Sequence, residues 1–244
     1  FVTGGAGGIG KAIVEAFCKL NYQVAFCDKN ELEGQQTAQA TGAQCYPVDL
    51  NSKEALELCL QNIFKEWGDI DIIINNAGIS EFSPITETSV ETFDKILSVN
   101  LRPVFITSHA LAVHRKSQNS TNTYGRIINL CSTRYLMSEP GSEGYAASKG
   151  GIYSLTNSPF IKQSVQHNND RLMNMKKSFI GILAATIILS GCGTSQMAAG
   201  DPNAVLAGAA IGSNVGGAIG GLIGDSNGGW RGGYRGSAIG TIIG

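Results

Sequence analysis

The chain has 244 residues, with 18 Lys+Arg against 19 Asp+Glu and a formal net charge of -1. Residues 1–156 hold 12 basic and 16 acidic side chains, and residues 157–244 hold 6 and 3. Neither part has the dense basic patch of a nucleic-acid binder, so that class is excluded. Cys18, Cys27, Cys45, Cys59 and Cys131 are scattered, with no C-x-x-C and no clustered His. They read as core thiols in a reducing compartment, and no metal site is expected.

Phe1 to Gly10 is the end of a strand running into a glycine-rich turn, and Lys11 to Leu20 carries apolar residues at helical spacing. Glycines let backbone approach a pyrophosphate, while a helix N-terminus supplies N–H groups and dipole for its charge. Gln23 to Asp28 reads as a short buried strand ending in an acid. Asp28 lies 18 residues after Gly10, close to the roughly 20 at which an acid takes the adenosine ribose hydroxyls. An acid there repels a 2′-phosphate and favours NAD, while the adjacent Lys29 leaves NADP open.

The alternation continues. Gln44 to Asp49 reads as a strand, Lys53 to Trp67 as a helix, and Ile70 to Gly78 as a buried parallel strand entering a turn. Val90 to Val113 reads as one helix with Asn100 mid-way. A polar loop from Ser117 to Tyr124 precedes a strand from Arg126 to Ser132. Five β-runs separated by helices predict an α/β fold, a Rossmann-like doubly wound parallel sheet with ligands at the carboxyl ends of its strands. Asp28, Asp49, Asn75 and Ser132 all fall at or just past such ends.

Tyr145 and Lys149 lie four apart and share one face of a helix. An ammonium beside a phenol favours the phenolate and lowers its pKa from about 10. Such a pair suits proton transfer to and from an alcohol or carbonyl.

Thr3-Gly4-x-x-x-Gly8-x-Gly10, Asp28, Asp49, Asn75-Asn-Ala-Gly78, Asn100, Ser132 and Tyr145-x-x-x-Lys149 together resemble the short-chain dehydrogenase/reductase family over residues 1 to about 156. The resemblance implies a cytoplasmic NAD-dependent oxidoreductase (NADP being the lesser alternative) that moves a hydride between the nicotinamide and a small secondary alcohol or ketone. It implies that Thr3, Gly4, Gly8, Ile9 and Gly10 shape the cofactor loop, and that Asp49, Asn75, Ala77 and Gly78 face the adenine side. Ser132 would orient the substrate oxygen and Tyr145 would pass its proton. Lys149 would bond the nicotinamide ribose and bias Tyr145, and Asn100 would hold the water of a proton relay. Family members assemble through helices beside the Tyr–Lys helix, which leaves a homo-oligomer open.

The pattern changes after Thr156. Residues 157–174 form a polar junction holding Pro159, and proline disfavours helix at the residue before it. The family's next strand and its Pro-Gly turn find no match, so the sheet is expected to be incomplete and turnover weak. Misplacing reacting groups by ~1 Å can cost ~100-fold. In residues 175–192, Met175-Lys-Lys, the apolar run Phe179 to Leu189, and Leu189-Ser-Gly-Cys192 resemble a bacterial lipoprotein signal with Cys192 as lipidation candidate. A buried helix, or a membrane span from Ser178 to Gly200, are the other readings. In residues 193–244, glycines recur every four residues from Gly208 to Gly224 and again from Gly236 to Gly244. This resembles the helical glycine-zipper hairpin of envelope lipoproteins, with membrane association over 175–244; a flexible glycine-rich linker is the alternative. The expectation is two unrelated pieces joined near residue 157.

Overall fold

A computed structural model describes residues 1–118 and 125–157, together with the backbone of 182–189. Six strands form one parallel sheet: β1 (Val2–Thr3), β2 (Ala25–Asp28), β3 (Gln44–Pro47), β4 (Ile72–Asn75), β5 (Gly125–Ser132) and β6 (Ile182–Leu189). Their order is β3-β2-β1-β4-β5-β6. The winding reverses between β1 and β4, and a crevice outside the carboxyl ends opens at such a switch point.

The central strands β2, β4 and β5 are largely apolar on both sides because both faces are covered. Successive residues point to opposite faces, so Phe26, Ile74 and Ile128 pack with Ile13, Val14 and Phe17 of α1 (Gly8–Lys19). Their neighbours Ala25, Cys27, Ile73 and Ile127 pack with Leu56, Leu60 and Ile63 of α3 (Lys53–Trp67; α2 is Glu31–Thr41). Ile106 and Leu111 of α5 (Arg102–Ser117, after α4, Val90–Asn100) join that second core. Last among the described helices is α6 (Glu143–Thr156).

Local chemistry sets the helix starts. Asn30, Ser52 and Ser89 accept hydrogen bonds from the backbone N–H of Glu33, Ala55 and Thr92, capping α2, α3 and α4. The expected single helix from Val90 to Val113 is two helices. Pro103 brings no N–H and begins a new helix at its first turn, so Asn100 sits at a break instead of mid-helix. Helix α2 escapes the sequence reading because only Gly34 and Thr37 of it are buried, leaving almost no apolar stripe.

The C-terminal expectation needs correction. Ile182–Leu189, read as a signal-like or helical apolar run, is a strand that pairs in register with β5 from Gly125↔Ile182 to Ser132↔Leu189. The sheet therefore has a sixth strand where none was expected. A short apolar run rich in β-branched residues fits a parallel strand as well as a helix, and its periodicity alone does not separate them. Cys192, the Met175-Lys-Lys start and the glycine repeats lie outside the described residues.

Candidate active site

The glycine-rich turn is held by backbone contacts that exclude side chains. Gly4 N–H donates to the Cys27 carbonyl at 2.8 Å, and Gly4 and Gly8 adopt φ of +68° and +53°. A Cβ on Gly10 would lie 1.9 Å from the Gly4 carbonyl oxygen. The turn therefore folds back over the first turn of α1, whose N-cap, Gly7, has no side chain to satisfy the free N–H groups. Ile9 faces the crevice while packing on the α1 core.

Two further loops lock onto this turn. Thr3 Oγ1 accepts the N–H groups of Asn76 and Ala77, each at 3.1 Å. The Asn76 amide donates back to the carbonyls of Thr3 and Gly4 at 3.0 Å. From β2, the Asp28 carboxylate accepts Ala6 N–H through one oxygen and Asn30 N–H through the other, both at 3.0 Å. The result is a cleft of about 740 Å³ along the ends of β1 to β4, lined by Gly4, Ile9, Asp28, Asp49, Ala77 and Gly78 among others.

Asn75 behaves differently from its neighbours. As the last residue of β4 it is buried, and its amide donates to Asn129 Oδ1 at 2.8 Å while accepting Thr107 Oγ1 at 2.9 Å. Asn129 passes the chain on to Thr156 of α6 at 2.9 Å. Within the Asn75–Gly78 turn expected on the adenine side, the Asn75 side chain thus braces the sheet, and it is Asn76 that faces the glycine turn. Strand alternation could have separated the two amides, given the end of β4.

The Tyr–Lys helix meets the far end of the cleft. Lys149 Nζ, itself buried, donates to the Leu130 carbonyl at 2.9 Å and stands 5.5 Å from the centroid of the Tyr145 ring. Cys131 Sγ donates to the Lys149 carbonyl, and burial pushes that thiol's pKa up. Asn100, at the α4–α5 break, accepts Ile79 N–H at 2.8 Å and donates to the Ile79 carbonyl and to Ser148 Oγ. Ser148 Oγ donates in turn to the Tyr145 carbonyl. Both amide hydrogens of Asn100 are thus used in bracing α6 against the loop after β4. A Cβ on Gly78 would lie 3.4 Å from Asn100 Oδ1 and 3.8 Å from Lys149 Nζ, so the cleft and the Tyr–Lys pair are continuous. Ser132 is buried at the end of β5, two residues past the Lys149 acceptor, and its Oγ accepts Arg134 N–H.

The profile of the short chain dehydrogenase family matches residues 1–168. The chain belongs to that family. The match runs past Thr156, where the resemblance in the sequence was expected to end. A sorbitol dehydrogenase of Cereibacter sphaeroides is 30% identical over 163 residues, 64% of this chain and 61% of its own length. A probable galactose dehydrogenase of Rhizobium meliloti is 32% identical over 163 residues, 64% of this chain and 62% of its own. The chain thus spans about three fifths of the length of these curated relatives. A solved short chain dehydrogenase from Bacillus anthracis superposes with a TM-score of 0.60 at 23% identity, covering 68% of this chain and 69% of that one. That likeness shows the shared fold, a parallel sheet with flanking helices.

Proposed function

We propose that the cleft binds a nicotinamide dinucleotide and that the protein interconverts a small secondary alcohol and its ketone. The observation that carries the reading is the junction at Gly78, where a glycine-lined dinucleotide-sized cleft ends on Asn100 and Lys149 beside Tyr145. The cradle suits the group: Gly10 leaves no room for a side chain against the Gly4 carbonyl, and the free N–H groups of α1 face where a pyrophosphate would lie. A bound nicotinamide supplies the hydride acceptor or donor.

The remaining work belongs to backbone and side chains of this chain. Gly4, Gly8, Ile9 and Gly10 would hold the phosphates, and Ala77 and Gly78 would line the path from adenine to nicotinamide. Asp28, whose two oxygens are fixed by backbone N–H groups, would meet the ribose and repel a 2′-phosphate, which favours NAD over NADP. Ser132 orients the substrate oxygen. Tyr145 exchanges a proton with it, and the Lys149 ammonium stabilises the charge that develops on the phenol oxygen. The relatives' names point to sugars and polyols, which are alcohols of this general kind. A cytoplasmic home for this domain, and assembly into a homo-oligomer, belong to the same reading.

Titration of the full chain with NAD, NADH and NADPH tests the binding half. NADH should bind more tightly than NADPH, and equal affinity would remove Asp28 as the selector. Tyr145→Phe should bind NADH normally yet lose about 100-fold or more in turnover, the usual weight of a general acid–base. Undiminished turnover would sink the assignment.

A further inference from the structure

Beside Tyr145 the loop after β4 meets the loop between β5 and α6. Ser83 N–H donates to the Gly141 carbonyl at 3.1 Å, and this contact brings Phe82 edge-to-face onto the Tyr145 ring, centroids 6.2 Å apart. The Arg134 guanidinium lies over the same Phe82 ring, 5.7 Å from its centroid. Arg134 is nearly buried and held from two directions, by Glu139 Oε2 at 2.6 Å and by Ser142 Oγ at 3.4 Å. Cation–π attraction to a fixed guanidinium, with an aromatic edge contact, holds a ring in one orientation.

Polar groups of these loops are largely matched with one another. Glu81 pairs with Lys95 at 2.6 Å, and Ser83 with Thr88 at 2.7 Å. Ser142 Oγ also takes Glu139 N–H and donates to the Glu139 carbonyl. Large apolar groups are left open instead: Phe82 is 42% exposed, and Leu136 and Met137, on the turn that follows Ser132, are each 74% exposed. Of these, Phe82 packs on the phenol that would handle the substrate oxygen.

We propose that Phe82, held by Arg134, is the specificity wall of the substrate site, and that the substrate carries an apolar, ring-sized group beside its carbinol carbon. This rests on the hydride-transfer reading above. An open-chain polyol laid against that wall would lose water from several hydroxyls without gaining partners, which costs about 1–3 kcal/mol for each buried group left unmatched. A ring packs on Phe82 with no such loss.

The test compares 1-phenylethanol with sorbitol on the full chain with NAD. Wild type should favour 1-phenylethanol in kcat/KM by about tenfold or more, within the range an apolar pocket supplies. Phe82→Ala should shrink that preference about tenfold, chiefly through KM, and Phe82→Leu should restore part of it. Because Phe82 is half-exposed, NADH affinity in both variants should match wild type, which shows that they fold. Saturation-transfer NMR of 1-phenylethanol on the NADH-loaded chain reads the wall without turnover, and its ring signal should vanish in Phe82→Ala. Preference for sorbitol, or a preference untouched by Phe82→Ala, overturns the wall and leaves hydride transfer standing. A Phe82-dependent ring signal with no turnover of either alcohol supports the wall and overturns hydride transfer.

Discussion

Burial of single polar side chains fixes much of this molecule's behaviour. Cys59, on the inner face of α3, is an example: desolvation, then the neighbouring Cys45, push its pKa from 9.0 to about 12. The folded state therefore favours the neutral thiol more than the unfolded chain does. Its contribution to stability is complete below pH 9, and is lost as pH rises from there to about 12. The slope for one such group is about 1.4 kcal/mol per pH unit. Urea unfolding of wild type at pH 8 and 10.5 should show a marked alkaline loss, and Cys59→Ala, whatever its baseline, should show a smaller one. Equal losses in the two proteins would mean that the thiol is not held neutral. Legibility at this scale is uneven. Tyr145 and Lys149 stand out by their spacing, and Asp28 and Ser132 by closing apolar runs, while the role expected of Ser132 comes from family likeness alone. Asn129, Arg134 and Phe82 could not, since their partners lie in distant segments. The sequence names Asn100 through family likeness, yet only the fold reveals that its amide is occupied by Ile79 and Ser148.

Much of the candidate site sits at element ends, at the glycine turn, Asp28 and Ser132, while Tyr145 and Lys149 are set one turn apart within α6. The glycine turn between β1 and α1 shows how finely this is set. Gly8 has φ of +53°, but nothing lies within 4 Å of where a Cβ would stand, whereas a Cβ on Gly10 would meet a carbonyl oxygen at 1.9 Å. Gly8→Ala should cost only the left-handed backbone penalty of about 1–2 kcal/mol. Gly10→Ala must push the turn away from α1 and dismantle the cradle. NADH affinity should fall at least about tenfold more for Gly10→Ala than for Gly8→Ala, since about 1.4 kcal/mol is one decade. Similar losses would place the constraint in conformation instead of contact. Most elements were legible because alternation and helical spacing report burial directly. The α4–α5 break was not, although Pro103 is a visible signal, because the apolar spacing runs on through it. Helix α2 was not, because Asn30 and Glu33 mark only its start and no buried stripe follows.

At the scale of the whole molecule residues 182–189 decide how the sheet ends. As β6 they complete a sheet edge that β5 would otherwise expose, covering a row of unpaired backbone groups. As a lipoprotein signal they would leave the domain and be cut away before Cys192. An edge strand sends alternate N–H groups towards its neighbour and away from it, so proline is tolerated at every second position only. Ala184 and Ala185, opposite Ile127 and Ile128, are adjacent and must differ in this respect. Proline at one of them removes a ladder hydrogen bond and clashes, while proline at the other faces outward. Of Ala184→Pro and Ala185→Pro in the full chain, one should lower the melting temperature by about 5 °C or more, equivalent to about 2 kcal/mol, and the other by much less. Two equally small shifts, with a lipidated peptide beginning at Cys192 in the envelope of a bacterial host, would assign the segment to a signal instead of the sheet. An unequal pair would bind the apolar run to the dehydrogenase fold, because only pairing with β5 distinguishes one alanine from the next.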